Sequence, residues 1–395
     1  MTRERDPYED SERTNGQNPA KRGLNRRRII KSGGALVGGA ALAGCMGGGN
    51  GSGGGNDSGN GSGGGDNSGG EATNIAIISS SAGFGDQAFN DLAWQGLQNA
   101  ADEFNIQLQQ VEETNQSNYG TVQSRLAESQ NPDYDLIVLV GYQHTQALES
   151  NATQYSDQRW MLINDHVDQP NVAGYTWANH QMSYQAGVLA ATMTTREFSF
   201  DDNSTTAENP TIGFVGGVDG SLINAFERAY VAGAEYVNED INVRVGYIGN
   251  YTDTQTANNI ASSQYDAGAD IVYHAAAAAG QGVFEAAQNA NRFAVGVDAD
   301  QSKTLDEYED VIMGSAVKYI NKGTYEVAKA VVQDNWQSVQ GDNVLGLDSD
   351  AVAMVLGNAI GPELPSVVEE NLEESKQAIL NGDVTVPCSA SGCQN

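Results

Sequence analysis

The sequence has few of the residues that catalysis and metal binding most often use. Its 395 residues include only three cysteines and four histidines, and the histidines show no metal-ligand spacing. There is no phosphate-binding P-loop, no Gly-x-Ser-x-Gly motif and no cysteine beside a candidate base. These absences argue against zinc enzymes, P-loop nucleotide hydrolases and serine or cysteine hydrolases. Asp298 and Asp300 leave a hydrolase with paired carboxylates as the remaining enzymatic alternative.

Basic residues are also scarce. Twenty Lys and Arg stand against 51 Asp and Glu, which gives a formal net charge of −31 at pH 7. Because such an acidic surface repels phosphates, we expect no binding to nucleic acids. The carboxylates are dispersed along the chain rather than gathered in an acidic tail. This dispersion favours a halophile protein, whose carboxylates keep it hydrated while concentrated salt screens their repulsion.

The apolar segment near the N-terminus, residues 32–44, is too short to span a membrane, which takes about 20 residues. It follows the letters RRRIIK at 26–31, which resemble a twin-arginine export signal. It ends in LAGC at 42–45, which resembles a lipobox. We therefore predict a twin-arginine lipoprotein signal at residues 1–44, with Cys45 lipidated at the start of the exported chain. A short membrane anchor with an incidental cysteine is the alternative.

The next segment, residues 45–72, is dominated by Gly, Ser, Asn and Asp. Because it has almost no apolar side chains to bury, it predicts a flexible tether. A lipid at Cys45 would then hold the folded part at the cell membrane, on its extracellular face.

From residue 73 onward, short apolar runs alternate with helical segments, as in parallel α/β folds. The run LIVLV at 136–140 is typical of a strand buried on both faces of a parallel sheet. A polar break at 199–210 separates two similar rounds. The pattern predicts two doubly wound parallel-sheet lobes with a ligand cleft between them.

The two lobes and their connections can be assigned along the chain. The predicted first lobe takes residues 73–176 plus 319–340, the second takes 177–318 plus 341–365, and a C-terminal helix and tail take 366–395. Hinge strands are expected near 175–179, 315–319 and 335–345. Cys388 and Cys393 in the tail form either a small disulfide loop or a free pair, and the sequence leaves both open.

Six motifs occur in the order and spacing of a known family. They are DQAFNDLAWQG (86–96), HQMSYQAG (180–187), FERAYVAGAEYVN (226–238), GQGVFEAA (280–287), GVDADQ (296–301) and SAVK (315–318). Together they resemble the basic membrane lipoprotein (Med/PnrA-like) substrate-binding proteins. The resemblance implies a type I periplasmic-binding-protein fold, a receptor role beside the permease and ATPase subunits of an ABC importer, and a purine nucleoside as ligand.

The same resemblance implies roles for particular residues. Phe89 and Phe226 match the two aromatics that sandwich the base, one from each lobe, and Asn90 matches a polar contact to the base. Asp298 matches the carboxylate that binds the ribose hydroxyls, and Lys318 matches a neighbouring polar contact. The alternatives are that the two phenylalanines are ordinary core residues, that Asn90 is a helix cap or first-turn residue, that Asp298 is a solvated turn residue, and that Lys318 is an incidental surface residue.

Three candidate positions depart from the family pattern. Ser80 and Gln146 stand where the family has aspartates, and Gly280 follows a run of alanines where the family has glycines. An amide offers both a donor and an acceptor, so Gln146 could prefer a different base edge. A sugar or other small polar solute is therefore the alternative ligand, and a signalling receptor is the alternative role. We predict no catalytic residue, no metal and no cofactor.

Overall fold

The computed structural model describes residues 71–390 and 392–393. The predicted signal at 1–44, the lipidation site Cys45 and the predicted tether up to residue 70 lie outside the described residues. No helix in the described part is long and apolar enough to cross a membrane.

Strands and helices alternate along most of the described chain. The strands are β1 (Thr73–Ile78), β2 (Ile106–Val111), β3 (Leu136–Val140), β4 (Trp160–Ile163), β5 (Val172–Trp177), β6 (Ser199–Phe200), β7 (Asn203–Ser204), β8 (Thr211–Gly216), β9 (Asn242–Tyr247), β10 (Ile271–Ala275), β11 (Phe293–Asp298), β12 (Ile312–Lys318), β13 (Gly341–Leu345) and β14 (Val352–Leu356). The helices are α1 (Phe89–Glu103), α2 (Tyr119–Ala127), α3 (Thr145–Gln154), α4 (Asn179–Thr194), α5 (Ser221–Val237), α6 (Thr254–Asp266), α7 (Gln281–Ala290), α8 (Gln301–Thr304), α9 (Ile320–Val332) and α10 (Val367–Leu380).

The strands form two six-stranded sheets and a small hairpin, β6–β7. The first sheet has the order β13-β5-β4-β3-β1-β2 and is parallel throughout. The second has the order β14-β12-β11-β10-β8-β9. The inner strands β3 of the first sheet and β10 of the second illustrate the core, since every residue in each is buried. This is the predicted pair of doubly wound lobes. The carboxyl ends of the parallel strands in both sheets face the cleft between the lobes.

One feature of the second sheet differs from the prediction of parallel lobes. Its edge strand β14 runs antiparallel to β12. The chain returns from β13 through residues 346–351 and enters the second sheet on the cleft side, where Val352 pairs with Lys318 at the carboxyl end of β12. An antiparallel edge strand is therefore the arrangement that entry at this end allows.

The chain crosses between the lobes at three adjacent places. The first two crossings are single residues, Ala178 and Tyr319, and they fall inside two of the predicted hinge ranges. The prediction placed residues 341–365 in the second lobe, and this was wrong for β13, which pairs with β5 of the first. The third crossing therefore follows Leu345. Backbone hydrogen bonds join the crossings, from Ala178 N to Leu345 O (2.7 Å) and from Tyr319 N to Ala351 O (2.9 Å).

Several motif residues serve helix packing. A Cβ atom at Gly233 of α5 would lie 2.0 Å from the Tyr184 carbonyl oxygen, and one at Gly187 of α4 would lie 2.1 Å from the Tyr230 carbonyl oxygen. Glycine at both positions thus lets the backbones of α4 and α5 approach closely. The hydroxyl of Ser183 on α4 donates to the carbonyl oxygen of Phe226 (2.6 Å), which ties α5 to α4 at a predicted site residue.

The C-terminal segment packs on the second lobe and then reaches a crossing. Asn371 of α10 donates to Thr192 of α4 (3.0 Å). Cys388 and Cys393 form a disulfide, which resolves the alternative that the sequence leaves open. Gly392 lies against Thr176 on β5, so the disulfide-closed loop contacts the strand that leads into the first crossing.

Candidate functional site

A pocket lies between the lobes, where loops follow the carboxyl ends of the parallel strands in both sheets. Small-molecule sites in α/β proteins commonly lie in this position. The first lobe contributes Ser80, Ala82, Phe89, Gly141, Tyr142, Gln143 and Asn164. The second lobe contributes Leu222, Ile223, Phe226, Tyr251, Ala275, Ala276, Ala277, Val297, Asp298 and Lys318. Five of the predicted site residues are among them.

Two phenyl rings face this pocket from opposite lobes. Phe89 is the first residue of α1, and Phe226 lies in the second turn of α5. Both are at least nine-tenths buried. The Lys318 ammonium lies 4.6 Å from the centroid of the Phe89 ring and 5.8 Å from that of Phe226. The two rings therefore flank one cation, which the negative π faces of the rings attract.

The cation belongs to a buried ion pair. Lys318 Nζ lies 3.0 Å from Asp298 Oδ1, and the side chains are only 3% and 9% exposed. Nζ also donates to Asn179 Oδ1 at 3.4 Å. Adjacent parallel strands β11 and β12 end in these two charged residues, which explains why they meet. An ammonium has three N–H donors, so at least one remains for a further acceptor in the pocket.

Asn90 lies beneath the pocket rather than in its lining. Its side chain is fully buried, its Oδ1 accepts from Ser80 N (2.8 Å), and its Nδ2 donates to Ser80 Oγ (2.9 Å) and Asp86 Oδ2 (2.8 Å). These bonds use both N–H groups of the amide and one lone pair of its oxygen, and Asn90 is not among the residues that line the pocket. Asn90 is a first-turn residue of α1 that holds the loop after β1 in place.

Asp86 organises the start of α1. Its carboxylate accepts from the backbone N–H groups of Ala88, Asn90 and Asp91 at 2.9–3.2 Å. Because the first N–H groups of a helix have no partners within it, this carboxylate acts as their cap and fixes Phe89 at the cleft. Burial raises the pKa of Asp86 to about 6, against hydrogen bonds that lower it.

Gln146 and Gly280 also lie outside the pocket lining. Gln146 is exposed on α3 and lines an outer cavity. A Cβ atom at Gly280 would lie 2.0 Å from the His274 ring, so glycine there makes room for that histidine. The His274 Nε2 atom lies 2.9 Å from Gln301 Oε1, and burial lowers the pKa of His274 to about 4. It is the alanines before Gly280 that reach the pocket.

Four polar lining residues were not predicted from the sequence. Tyr142 and Gln143 follow β3, Asn164 follows β4 and Tyr251 follows β9. Their position after the carboxyl ends of parallel strands was the signal that could have found them.

Three of these residues lie between the pocket and the outer cavity. Tyr142 and Gln143 of the first lobe and Tyr251 of the second line both spaces. Burial raises the pKa of the Tyr251 hydroxyl, and the neighbouring Tyr142 and Asp298 raise it further. At another point of the cleft, the Thr304 hydroxyl donates to the Gln87 carbonyl oxygen (3.1 Å), which also joins the lobes. The structure thus represents a closed cleft.

The family model of the PnrA-like ABC transporter substrate-binding proteins matches the sequence at residues 72–390, which is most of this chain. The chain belongs to this family. A PnrA-like protein is the substrate-binding component of an ABC transporter and not an enzyme, so the hydrolase alternative for Asp298 and Asp300 falls away. Within the described residues, no group of acidic, histidine and cysteine side chains could hold a metal ion.

Several named proteins are similar to this PnrA-like chain. One is the ABC transporter nucleoside-binding protein BmpA of Lactococcus lactis, 29% identical over 79% of this chain and 88% of the relative. Basic membrane protein A of Borreliella afzelii is 27% identical over 77% of this chain and 88% of its own. A solved ABC transporter solute-binding protein from Aeropyrum pernix aligns with a TM-score of 0.69 and 23% identity, covering 81% of this chain and 94% of that one. That structure supports the fold.

Proposed function

We propose that this protein is a lipid-anchored extracellular receptor that binds a purine-nucleoside-like solute between its lobes and delivers it to the permease of an ABC importer. The observation that carries the proposal is the pair of phenyl rings, Phe89 and Phe226, that face one pocket from opposite lobes. A nucleobase has two π faces, and stacking contributes about 1–3 kcal/mol per base. The name of the Lactococcus relative supports the same ligand class.

The ion pair supports a ribose beside the base. The Asp298 carboxylate can accept hydrogen bonds from two neighbouring hydroxyls, which suits the vicinal diol of ribose. Its partner Lys318 has an N–H to donate to a ribose or base oxygen. A ligand bound in this way replaces the ammonium as the group between the two rings.

Closure of the lobes would trap the ligand. The three crossings at Ala178, Tyr319 and residues 346–351 provide a hinge, and a ligand that contacts both phenyl rings stabilises the closed state over the open one. Its binding free energy includes the contacts that only the closed cleft makes. The bridging pairs Thr304–Gln87 and Tyr142–Tyr251 would break when the cleft opens for release.

The membrane location rests on the sequence. A lipid at Cys45 and a tether of roughly 25 residues would hold the lobes within about 25–30 Å of the membrane, where a permease could receive the ligand. Retention of the Cys45→Ala variant in the membrane fraction would contradict this part of the proposal.

Titration calorimetry with adenosine, guanosine and inosine tests the ligand assignment. We expect Phe226→Ala to lose about 1–3 kcal/mol of nucleoside binding, or about 5- to 150-fold. The matched control is Phe104→Ala, because Phe104 lies at the far end of α1, outside the pocket. Unchanged affinity in Phe226→Ala would remove the sandwich. Displacement of the nucleoside by free ribose at equal affinity would favour the alternative ligand, a sugar or other polar solute.

A further inference from the structure

The first-lobe wall of the pocket is polar but carries no charge. It presents the side chains of Ser80, Gln143 and Asn164, which follow β1, β3 and β4. These strands are adjacent in the sheet, so the three side chains belong to one surface. The charged pair of the pocket lies on the second lobe, at the ends of β11 and β12. The two walls therefore offer different chemical groups to a ligand.

Two oxygens of this wall lack a hydrogen-bond donor. Gln143 Oε1 and Asn164 Oδ1 are buried from solvent, and no donor from the described residues reaches them. Asn164 as a whole is 7% exposed. Buried polar atoms in native proteins almost always have partners, and an orphaned one is costly. Since both residues line the pocket, a ligand with two hydrogen-bond donors would satisfy both oxygens.

Local backbone geometry fixes these two amides. Gly141 has a φ of +103°, and a Cβ atom there would lie 2.5 Å from Gln143 Oε1 and 3.3 Å from Ser80 Cβ. The Gln143 amide thus lies across a glycine that leaves it room, beside Ser80. Asn164 has a φ of +68°, a conformation that asparagine adopts more readily than most residues.

The third polar group has the opposite character. Ser80 Oγ accepts from Asn90 Nδ2 (2.9 Å) and from the backbone N–H of Ala82 (3.3 Å). A hydroxyl has two acceptor lone pairs and one proton, so Ser80 retains its proton for donation. The wall therefore offers two unpaired acceptor oxygens and the Ser80 hydroxyl as a donor, beside the NH2 groups of the two amides.

We propose that Gln143 and Asn164, together with Ser80, select the base of the ligand, and that they favour guanosine. This inference rests on the proposed function. The guanine edge carries two N–H donors, N1–H and the 2-amino group, beside the O6 acceptor, and this pattern complements the wall. Inosine lacks the 2-amino group and leaves one oxygen unpaired. Adenosine presents an acceptor at N1 where the wall also has acceptors. Gln146, exposed in the outer cavity, takes no part in this selection.

Calorimetry on the full chain and three variants tests this selection. Gln143→Met removes one acceptor at similar size, and Asn164→Gly removes the other with a residue that tolerates positive φ. Gln146→Met is the matched control. We expect each of the first two variants to bind guanosine about tenfold more weakly than the wild type. The control should bind guanosine with wild-type affinity. The wild type should bind guanosine about tenfold more tightly than inosine, and one of the two variants should abolish that preference.

The outcomes separate this inference from the proposed function. If the wild type binds no nucleoside, the proposed function fails. If it binds nucleosides but both variants keep the wild-type guanosine affinity, or if Gln146→Met alone weakens it, the selection by Gln143 and Asn164 is wrong. Equal thermal midpoints of the unliganded proteins confirm folding. If Asn164→Gly does not fold, the guanosine and inosine affinities of Gln143→Met still decide, because unchanged guanosine binding there contradicts its role.

Discussion

Replacing Lys318 by methionine tests how strongly the ion pair in the cleft is desolvated. Methionine has a similar length and no charge, so the variant leaves the Asp298 carboxylate buried without its cation, which lies 3.0 Å away in the structure. Breaking a buried pair in this way typically costs about 3–5 kcal/mol of unfolding free energy. That is a large part of the roughly 5–15 kcal/mol that stabilises a typical domain.

A surface pair of the same kind provides the control. Lys376 lies 3.3 Å from Asp350, and the side chain of Asp350 is 84% exposed. Exposed pairs contribute at most about 1 kcal/mol, so Lys376→Met should change stability little. The double variant Asp298→Asn with Lys318→Met should recover most of the loss, because no uncompensated charge remains.

Urea unfolding at low and high salt measures these free energies. Salt screens exposed charges more than buried ones, so the cost of Lys318→Met should change little with ionic strength. If Lys318→Met costs no more than Lys376→Met, the pair is hydrated in solution and its assignment to a closed, dry cleft is wrong.

Two further predictions concern stability. Gly233→Ala should cost about 1–3 kcal/mol of unfolding free energy, because its new methyl group meets the backbone of α4. Gly120→Ala should instead stabilise α2 by about 0.5–1 kcal/mol, since a Cβ atom there has ordinary contacts. Equal changes in stability for the two variants in urea unfolding would contradict the close packing of α4 and α5. Burial lowers the pKa of His144 from 6.5 to about 4, so the unfolded chain binds the extra proton and stability should fall as pH drops through that window. His144→Gln should flatten this decline. Asp86→Asn should steepen it, because the raised pKa of Asp86 makes its contribution to stability grow as pH falls below about 6. The same dependence of stability on pH in the wild type and in His144→Gln would refute the lowered pKa of His144.

The fold was largely predictable because its strands carry strong local signals. Runs such as β3 are continuously apolar, and their alternation with helices indicates parallel lobes. The boundary at β13 could not be predicted in this way. Its residues GDNVL are only partly buried at the sheet edge, and its partner β5 lies far away in the sequence. Only the tertiary pairing assigns it to the first lobe.

The site was less predictable, because side-chain direction decides it. A motif match places Asn90 beside Phe89, yet the carboxylate of Asp86 and the loop at Ser80 take its amide away from the pocket. Likewise, a short 3₁₀ turn ends at His144, after which α3 carries Gln146 out to the outer cavity. The spacing of Asn90 and Gln146 along the sequence does not show that both side chains lie outside the pocket.

The most direct test of the account is thermal unfolding of the full-length wild-type protein with a panel of nucleosides, free bases and sugars. A ligand at 100 times its dissociation constant adds about 2.7 kcal/mol to stability, which raises the unfolding midpoint measurably. The account predicts such a rise with purine nucleosides, greatest with guanosine at equal concentration, and none with ribose. A rise with sugars alone, or no rise with any nucleoside, would contradict a nucleoside site between Phe89 and Phe226.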